Sequence, residues 1–188
     1  MTLRFRDWSI GRKLGALAAF GLSITLMVSG FTLYSKHRSL YQSRFDQTRQ
    51  VVETAYGILA AQQKLEAAGQ LTTAEAQKRA MDLVRALRYD HGEYFWINDL
   101  QARMLMHPIK PELDGQDVSA MRDPNGKALF VEMVRVAQTA GEGFVEYQWP
   151  RPGSPEPVDK ISYVKGFTPW GWVIGSGCTR ALIDSRFL

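Results

Sequence analysis

An uninterrupted uncharged segment near the N-terminus, from Leu14 to Tyr34, constrains this chain more than any other feature. An α-helix rises about 1.5 Å per residue, so roughly 20 apolar residues cross the ~30 Å hydrocarbon core of a bilayer. The segment therefore predicts a transmembrane helix over residues 14–34. A cleaved signal peptide is the alternative, with Val28-Ser29-Gly30 as a weak cleavage site, although signal apolar regions are usually shorter, about 7–15 residues.

Basic residues flank the predicted span on both sides, so the positive-inside rule alone does not orient it. They are Arg4, Arg6, Arg12 and Lys13 before the span, and Lys36, Arg38, Arg44 and Arg49 after it. A short basic tail resists translocation, whereas folded domains cross largely regardless of charge. We therefore expect residues 1–13 to be a cytoplasmic tail and the rest of the chain, after the span, to lie outside the cytoplasm.

Apolar residues at helical spacing follow the span and predict that the membrane helix continues outward as an amphipathic helix over 36–68. The stripe comprises Leu40, Phe45, Thr48, Val51, Val52, Ala55, Tyr56 and Leu59. It can pack on the domain, on a second copy in a homodimer, or on both. After Gly69, Thr72 and Glu75 have the spacing of a capping box and predict a second helix.

The pattern then changes to short β-prone runs that predict five strands, interrupted by one further helix around 129–137. The runs are 93–98, 104–109, 144–149, 160–167 and 172–178. Strands linked by hairpins, with helices at one side, indicate an α+β fold with an antiparallel sheet. We place the folded core at 72–178.

Sequence signals for catalysis, metals, cofactors or nucleic acid are lacking. Net charge is only +4, without runs of five like charges. His37, His91 and His107 are too far apart to form a metal-ligand motif, and no P-loop, dinucleotide fingerprint or nucleophile elbow is found. The chain is therefore not predicted to be an enzyme. The single cysteine, Cys178, is best explained as a small buried hydrophobe.

The strands do favour a binding site, because side chains alternate between the two faces of a sheet. Alternation therefore places Tyr94 on the same strand face as Trp96, Tyr147 on the same face as Trp149, and Tyr163 on the same face as Lys165. Together with His107, these groups suit a small polar ligand with a negative end. The competing interpretation is that the aromatic residues are core, and that Lys165 and, still more, Lys160 are solvated surface lysines.

Residues 87–178 carry a series of short motifs in a fixed order. They are Leu-Arg-Tyr at 87–89, Glu-Tyr-Phe-Trp-Ile-Asn-Asp at 93–99, Met-His-Pro at 106–108, Lys-Pro-Glu-Leu-Asp-Gly at 110–115, Asp-Pro-Asn-Gly at 123–126, Gly-Glu-Gly-Phe-Val at 141–145, Trp-Pro-Arg-Pro-Gly at 149–153, and Pro-Trp-Gly-Trp-Val-Ile-Gly-Ser-Gly at 169–177. In this order they resemble the single-Cache sensor domains of methyl-accepting chemotaxis proteins.

The resemblance implies a single Cache domain over 36–183, a long N-terminal helix against a PAS-like antiparallel sheet, on the periplasmic side of the inner membrane. Such domains sense small molecules, often short carboxylates. The implied contacts are Tyr94, Trp96, His107, Tyr147, Tyr163 and Lys165. Family members normally continue into a second membrane helix and an output module. We therefore interpret 184–188 as a truncated end, or else expect the chain to act through a partner.

Three functions remain open at this point. The first is the ligand sensor of a chemoreceptor. The others are the sensor portion of a histidine kinase or cyclase, and a membrane-anchored interaction module without ligand. None of the six nominated side chains is a carboxylate, so the ligand itself would neutralise Lys165 unless Glu146 or Asp159 does so. This predicts a monocarboxylate such as acetate, propionate, pyruvate or lactate.

Overall fold

The computed structural model describes residues 9–90, 92–150 and 153–179, except for the side chains of 37–42. It forms two units, one up to Ser43 and one from Arg44 onward. Helix α1, Ile10–Ala67, begins in the first unit. Its segment Ile10–Lys36 is long and apolar enough to cross a membrane. Most of the predicted tail, residues 1–8, and the end at 184–188 lie outside the described residues.

Hydroxyl groups in the apolar segment of α1 are satisfied within the helix itself. The side chains of Ser23, Thr25 and Thr32 each donate to the carbonyl four residues earlier, at 2.8–3.0 Å. This is the arrangement that a hydrocarbon environment requires, since it offers no water to bind a polar group. The segment is thus compatible with a lipid environment in its polar groups as well as its length.

The second unit begins within α1 and continues into helix α2, Thr73–Ala86. The predicted capping box at its start is confirmed. The Thr72 hydroxyl accepts from the backbone N–H of Glu75, and the Glu75 carboxylate accepts from that of Thr72 at 2.9 Å. Two otherwise unpaired N–H groups at the helix N-terminus are therefore satisfied.

The five predicted strands are present and form one antiparallel sheet in the order β2-β1-β5-β4-β3. They are β1, Phe95–Asp99; β2, Met104–Met106; β3, Glu142–Pro150; β4, Pro157–Phe167; and β5, Trp172–Thr179. Helix α3, Leu129–Ala140, precedes β3. The predicted α+β class, with a long N-terminal helix on a five-stranded antiparallel sheet, is confirmed.

The sheet is covered on both faces, and each face has its own hydrophobic cluster. On what we call the α1 face, α1 and α2 pack against Phe95, Ile97 and Ile174. On the α3 face, α3 and the chain between β2 and α3 cover a second cluster. The expectation that the helices lie at one side is therefore wrong for α3, whose apolar residues Leu129, Phe130, Met133, Val134 and Ala137 are buried on the opposite side.

The apolar stripe of α1 contributes to the first of these clusters. Thr48, Val52, Ala55 and Leu59 are at most 2% exposed within the domain. At about 25 cal/mol per Å², burying a Val or Leu side chain contributes about 1.5–3 kcal/mol to stability. The sequence left open whether the stripe packs on the domain or on a second copy. These four residues pack on the domain.

Candidate functional site

Four of the six nominated residues come together on the α3 face. Tyr94 and Trp96 lie at the start of β1, and Tyr147 lies on β3; all three are buried in the same cluster. The ring centroids of His107 and Tyr94 are 5.0 Å apart. Trp149, two residues beyond Tyr147, adds a further wall, with its ring centroid 6.3 Å from that of His107.

Local hydrogen bonds fix His107 in one orientation. Its backbone N–H donates to the Asp114 carboxylate at 2.7 Å, and Arg85 holds the same carboxylate through its other oxygen. The backbone N–H of Lys110 donates to His107 Nδ1 at 2.9 Å. The Met-His-Pro and Lys-Pro-Glu-Leu-Asp-Gly motifs thus form one structure that positions this imidazole.

His107 is a neutral hydrogen-bond donor in this environment. Burial, followed by the nearby charge of Lys110, lowers the pKa of His107 to about 4. Because Nδ1 accepts from the backbone, the proton of the neutral ring resides on Nε2. At neutral pH the side chain therefore offers an N–H group without adding a charge.

The two tyrosines on this face are also neutral donors. Burial raises the pKa of Tyr94 to about 12, and the hydrogen bond from Trp149 offsets this in part. Trp149 can only donate, so the Tyr94 hydroxyl accepts and keeps its own proton available. Burial raises the pKa of Tyr147 far above its usual range, and its hydroxyl lies 2.8 Å from Ser162 Oγ.

The buried positive charge on this face comes from Lys160, which the sequence favoured as a surface lysine. Lys160 on β4 lies directly opposite Tyr147 on β3, and its side chain is 2% exposed. Its Nζ lies 3.1 Å from Glu93 Oε2 and 5.0 Å from the centre of the Tyr94 ring. A buried ammonium thus stands among aromatic and hydroxyl groups, paired with a buried carboxylate.

Two glycines of β5 let large side chains approach the sheet from this face. Gly175 is paired with Trp96, and a Cβ at Gly175 would lie 2.9 Å from Trp96 Cε2 and Cη2 and closer still to Cζ2. Gly177 is paired with Ser162, and a Cβ there would lie 2.6 Å from the Ile161 carbonyl oxygen. The Gly-Ser-Gly motif therefore provides a flat floor for the Trp96 indole and the Ser162 hydroxyl.

Two polar atoms near this floor are buried without a partner among the described residues, Trp96 Nε1 and Thr179 Oγ1. Thr179 is paired with Lys160 across β4 and β5, so its side chain emerges on the same face. An unsatisfied buried donor costs about 1–3 kcal/mol. Both atoms are thus available to a bound polar molecule.

Tyr163 and Lys165 lie on the opposite side of the sheet. Tyr163 packs in the α1-face cluster, and Lys165 Nζ lies 5.1 Å from the centre of the Tyr56 ring of α1. Lys165 Nζ pairs with Glu142 at 2.5 Å and lies 4.0 Å from Glu53. The prediction that the ligand neutralises Lys165 is therefore wrong, since Glu142, directly opposite it on β3, does so in place of Glu146 or Asp159.

A surface cleft of about 280 Å³ beside edge strand β3 includes Tyr147 and Lys160 in its lining. Its lining includes three carboxylates, Asp123, Glu146 and Asp159. The Asp123 carboxylate is itself saturated by the backbone N–H groups of Asn125, Lys127 and Gln148. Three carboxylates against two lysines, Lys127 and Lys160, leave the lining net negative, so the open part of the cleft does not suit an anion.

A PAS-like antiparallel sheet with a long N-terminal helix on one face, and buried aromatic and polar groups on the other, defines a Cache-type domain. The chain belongs to the single Cache domain 2 family, whose model matches residues 40–187. The predicted family is thereby confirmed.

Two curated relatives show different kinds of signalling protein. The chain is 51% identical to the methyl-accepting chemotaxis protein McpP of Pseudomonas putida over 182 residues, which is 97% of this chain and 34% of the relative. It is 29% identical to the sensor histidine kinase MctS of Rhizobium johnstonii over 102 residues, 54% of this chain and 22% of that protein. The chain thus spans about a third or less of the length of these curated relatives.

Solved structures agree with the sequence relatives. A periplasmic sensor domain of a chemotaxis protein superposes with a TM-score of 0.73 at 51% identity, covering 75% of this chain and 97% of that one. A Cache chemosensory domain whose structure explains carboxylic acid recognition has a TM-score of 0.74 at 50% identity, covering 77% and 98%. The chain is thus similar to sensor domains of chemotaxis receptors, over nearly their whole length.

Proposed function

We propose that this chain is the extracytoplasmic sensor portion of a membrane chemoreceptor and that it binds a short monocarboxylate. The observation that carries the proposal is the buried ammonium of Lys160, set among neutral hydrogen-bond donors on the α3 face. The likeness to a Cache domain that recognises a carboxylic acid supports the same ligand class. Acetate, propionate, pyruvate and lactate are the compounds to test first.

The donors on the α3 face match a carboxylate in number and type. An ionised carboxylate has about four lone-pair sites and no proton to donate. Lys160 offers a charged donor, while Tyr94, His107 and the unpartnered Trp96 indole offer neutral ones. Hydrogen bonds from a charged donor are roughly twice as strong as neutral ones. We therefore place the ligand carboxylate at Lys160, and its carbon end against Trp96 or Trp149.

Four nominated residues, Tyr94, Trp96, His107 and Tyr147, remain in the proposed site, and Lys160 replaces Lys165 as its cation. Lys165 and Tyr163 lie instead between the sheet and α1: Lys165 contacts Tyr56 and Glu53 of α1, and Tyr163 packs in the α1-face cluster. A ligand on one face and a signalling helix on the other would thus be separated by a single sheet.

The proposed setting is the inner membrane, with the apolar segment of α1 in the bilayer and the Cache domain, proposed to extend over 36–183, in the periplasm. The candidate span and the periplasmic relatives support this. The identity to McpP over 97% of this chain, against 54% for MctS, favours a methyl-accepting output over a kinase. A homodimer remains a prediction, and with four residues of the stripe buried in the domain it would use exposed residues of α1 such as Gln50 and Thr54.

Calorimetric titration of the full chain in nanodiscs with the four monocarboxylates tests the proposal. Lys160→Met keeps the aliphatic stem and removes the charge, so affinity should fall by about 1.5–3 kcal/mol, roughly 10- to 150-fold. Lys165→Met is the matched control and should bind within about twofold of wild type. Equal affinity in wild type and Lys160→Met would remove Lys160 from the site, and a wild-type preference for a cationic amine would overturn the ligand class.

A further inference from the structure

The proposed ligand site already contains a carboxylate that belongs to the protein. Glu93 Oε2 lies 3.1 Å from Lys160 Nζ, and the side chains of both residues are almost completely buried, at 7% and 2% exposed. Glu93 immediately precedes Tyr94, whose ring lies beneath the same ammonium. In geometry and charge, Glu93 holds the position that the proposed ligand would need.

Charge balance forbids simple addition of a carboxylate ligand at this place. Lys160 and Glu93 together are neutral, so a bound monocarboxylate would leave one uncompensated negative charge in a buried site. An unpaired buried charge is costly, because it loses its hydration without gaining a partner. His107 is neutral, and Lys110, 4.6 Å from the centre of the Trp149 ring, is only partly buried.

We propose that Glu93 is an internal competitor of the ligand, and that a bound carboxylate replaces it as the partner of Lys160. The proposal rests on the proposed function. It makes Glu93 a specificity-determining residue. A ligand with one negative charge takes over the ion pair with Lys160, and the displaced Glu93 carboxylate turns out of the buried site into water. A dicarboxylate brings a second charge for which the described residues of the site hold no buried cation.

The exchange also has a structural route toward α1. Tyr89 and Glu93 form an isolated β-bridge, joined by backbone hydrogen bonds in both directions at 3.2 and 3.0 Å. Next to Tyr89, Asp90 has a left-handed backbone with φ +45° and pairs with Arg44 of α1 at 3.0 Å. When Glu93 leaves Lys160, its displacement is therefore transmitted through the Tyr89–Glu93 bridge to Asp90, which is bonded directly to α1.

Acetate titration of the full chain tests the exchange through two variants of the competitor. Glu93→Gln removes the charge and keeps the shape, and Glu93→Ala removes the whole carboxyl group. Both leave Lys160 unneutralised, so both should bind acetate at least fivefold more tightly than wild type. Glu142→Gln is the matched control, because it frees Lys165 on the other face, and its acetate affinity should stay within twofold of wild type.

The outcomes separate the two proposals. If wild type binds acetate and neither Glu93 variant binds more tightly, the exchange is refuted while the carboxylate site stands. If wild type and the variants all fail to bind any of the four monocarboxylates, the proposed function is refuted and the exchange falls with it. Should the variants not fold, a crystal structure of the wild-type chain with acetate decides: the exchange requires Lys160 Nζ on the acetate and more than 4 Å from Glu93, and an intact 3.1 Å pair refutes it.

Discussion

Replacing Gly175 by alanine probes how closely the Trp96 indole lies against the sheet. The added Cβ would lie 2.9 Å from two ring atoms and closer to a third, where ordinary contacts begin at 3.4 Å. The ring must therefore retreat from Gly175 by about half an ångström to relieve the two longer contacts, and by about twice that to relieve the third. Trp96 is only 4% exposed, so the surrounding core has little room to accept it.

The magnitude follows from two opposing effects. Overpacking a core typically lowers the free energy of unfolding by about 1–3 kcal/mol. Alanine also restricts the unfolded chain more than glycine does, which raises that free energy by about 0.4–1 kcal/mol. The backbone of Gly175 does not have a positive φ, so strain adds nothing further. We expect a net loss of about 1–2 kcal/mol, which at a urea slope near 2 kcal/mol/M lowers the unfolding midpoint by roughly 0.5–1 M.

Urea unfolding of the full chain in nanodiscs, followed by tryptophan fluorescence, measures this loss, and acetate titration measures the accompanying fall in affinity. Gly57→Ala is the control, because a Cβ there meets nothing within 4 Å and alanine favours the helix by up to about 1 kcal/mol. Its midpoint should rise or stay constant, with acetate affinity unchanged. A midpoint for Gly175→Ala within 0.2 M of wild type would refute the reasoning about Trp96.

Three further predictions concern other parts of the chain. The pKa of His107 is about 4 in the folded state and about 6.5 in the unfolded state. Neutral His107 therefore contributes up to about 3 kcal/mol to the free energy of unfolding. This contribution is complete above pH 6.5 and is lost as the pH falls toward 4. His107→Asn should flatten the dependence of unfolding free energy on pH in that window, and an unchanged slope would contradict the assignment. Thr72→Ala removes the N-cap of α2 and should cost about 1 kcal/mol in thermal or urea unfolding, with Thr54→Ala on exposed α1 costing less. Alkaline phosphatase fused after Leu188 should be active, whereas activity of a cytoplasmic reporter at that position would reverse the proposed orientation.

Local sequence patterns were sufficient to predict the elements of this fold. The capping box at Thr72 and Glu75 involves only neighbouring residues, and alternation correctly grouped Tyr94 with Trp96 and Tyr163 with Lys165. Alternation cannot say, however, which group on one strand faces which group on another. That depends on register, and the register pairs Tyr147 with Lys160 and Phe144 with Tyr163.

The site was predicted incompletely for the same physical reason. Strand β4 carries a lysine on each face, Lys160 and Lys165, and each has an acidic partner distant in sequence, Glu93 and Glu142. Lys160 follows a loop rich in proline, which made it resemble a surface residue. One available signal for burial was its position in the alternation of β4. Lys160 lies on the same strand face as Ser162 and Val164, a small polar and an apolar residue that suit an interior.

The turn around Asp123 affects how the open edge of the sheet can interact with other copies of the domain. Strand β3 is the edge of the sheet, and an open edge offers unpaired N–H and C=O groups to any neighbouring chain. Here the Asp123 carboxylate accepts a hydrogen bond from the backbone N–H of Gln148, and the Lys127 ammonium donates one to the backbone carbonyl of Glu146. The turn therefore blocks the middle of this edge against the addition of a strand from another copy of the domain.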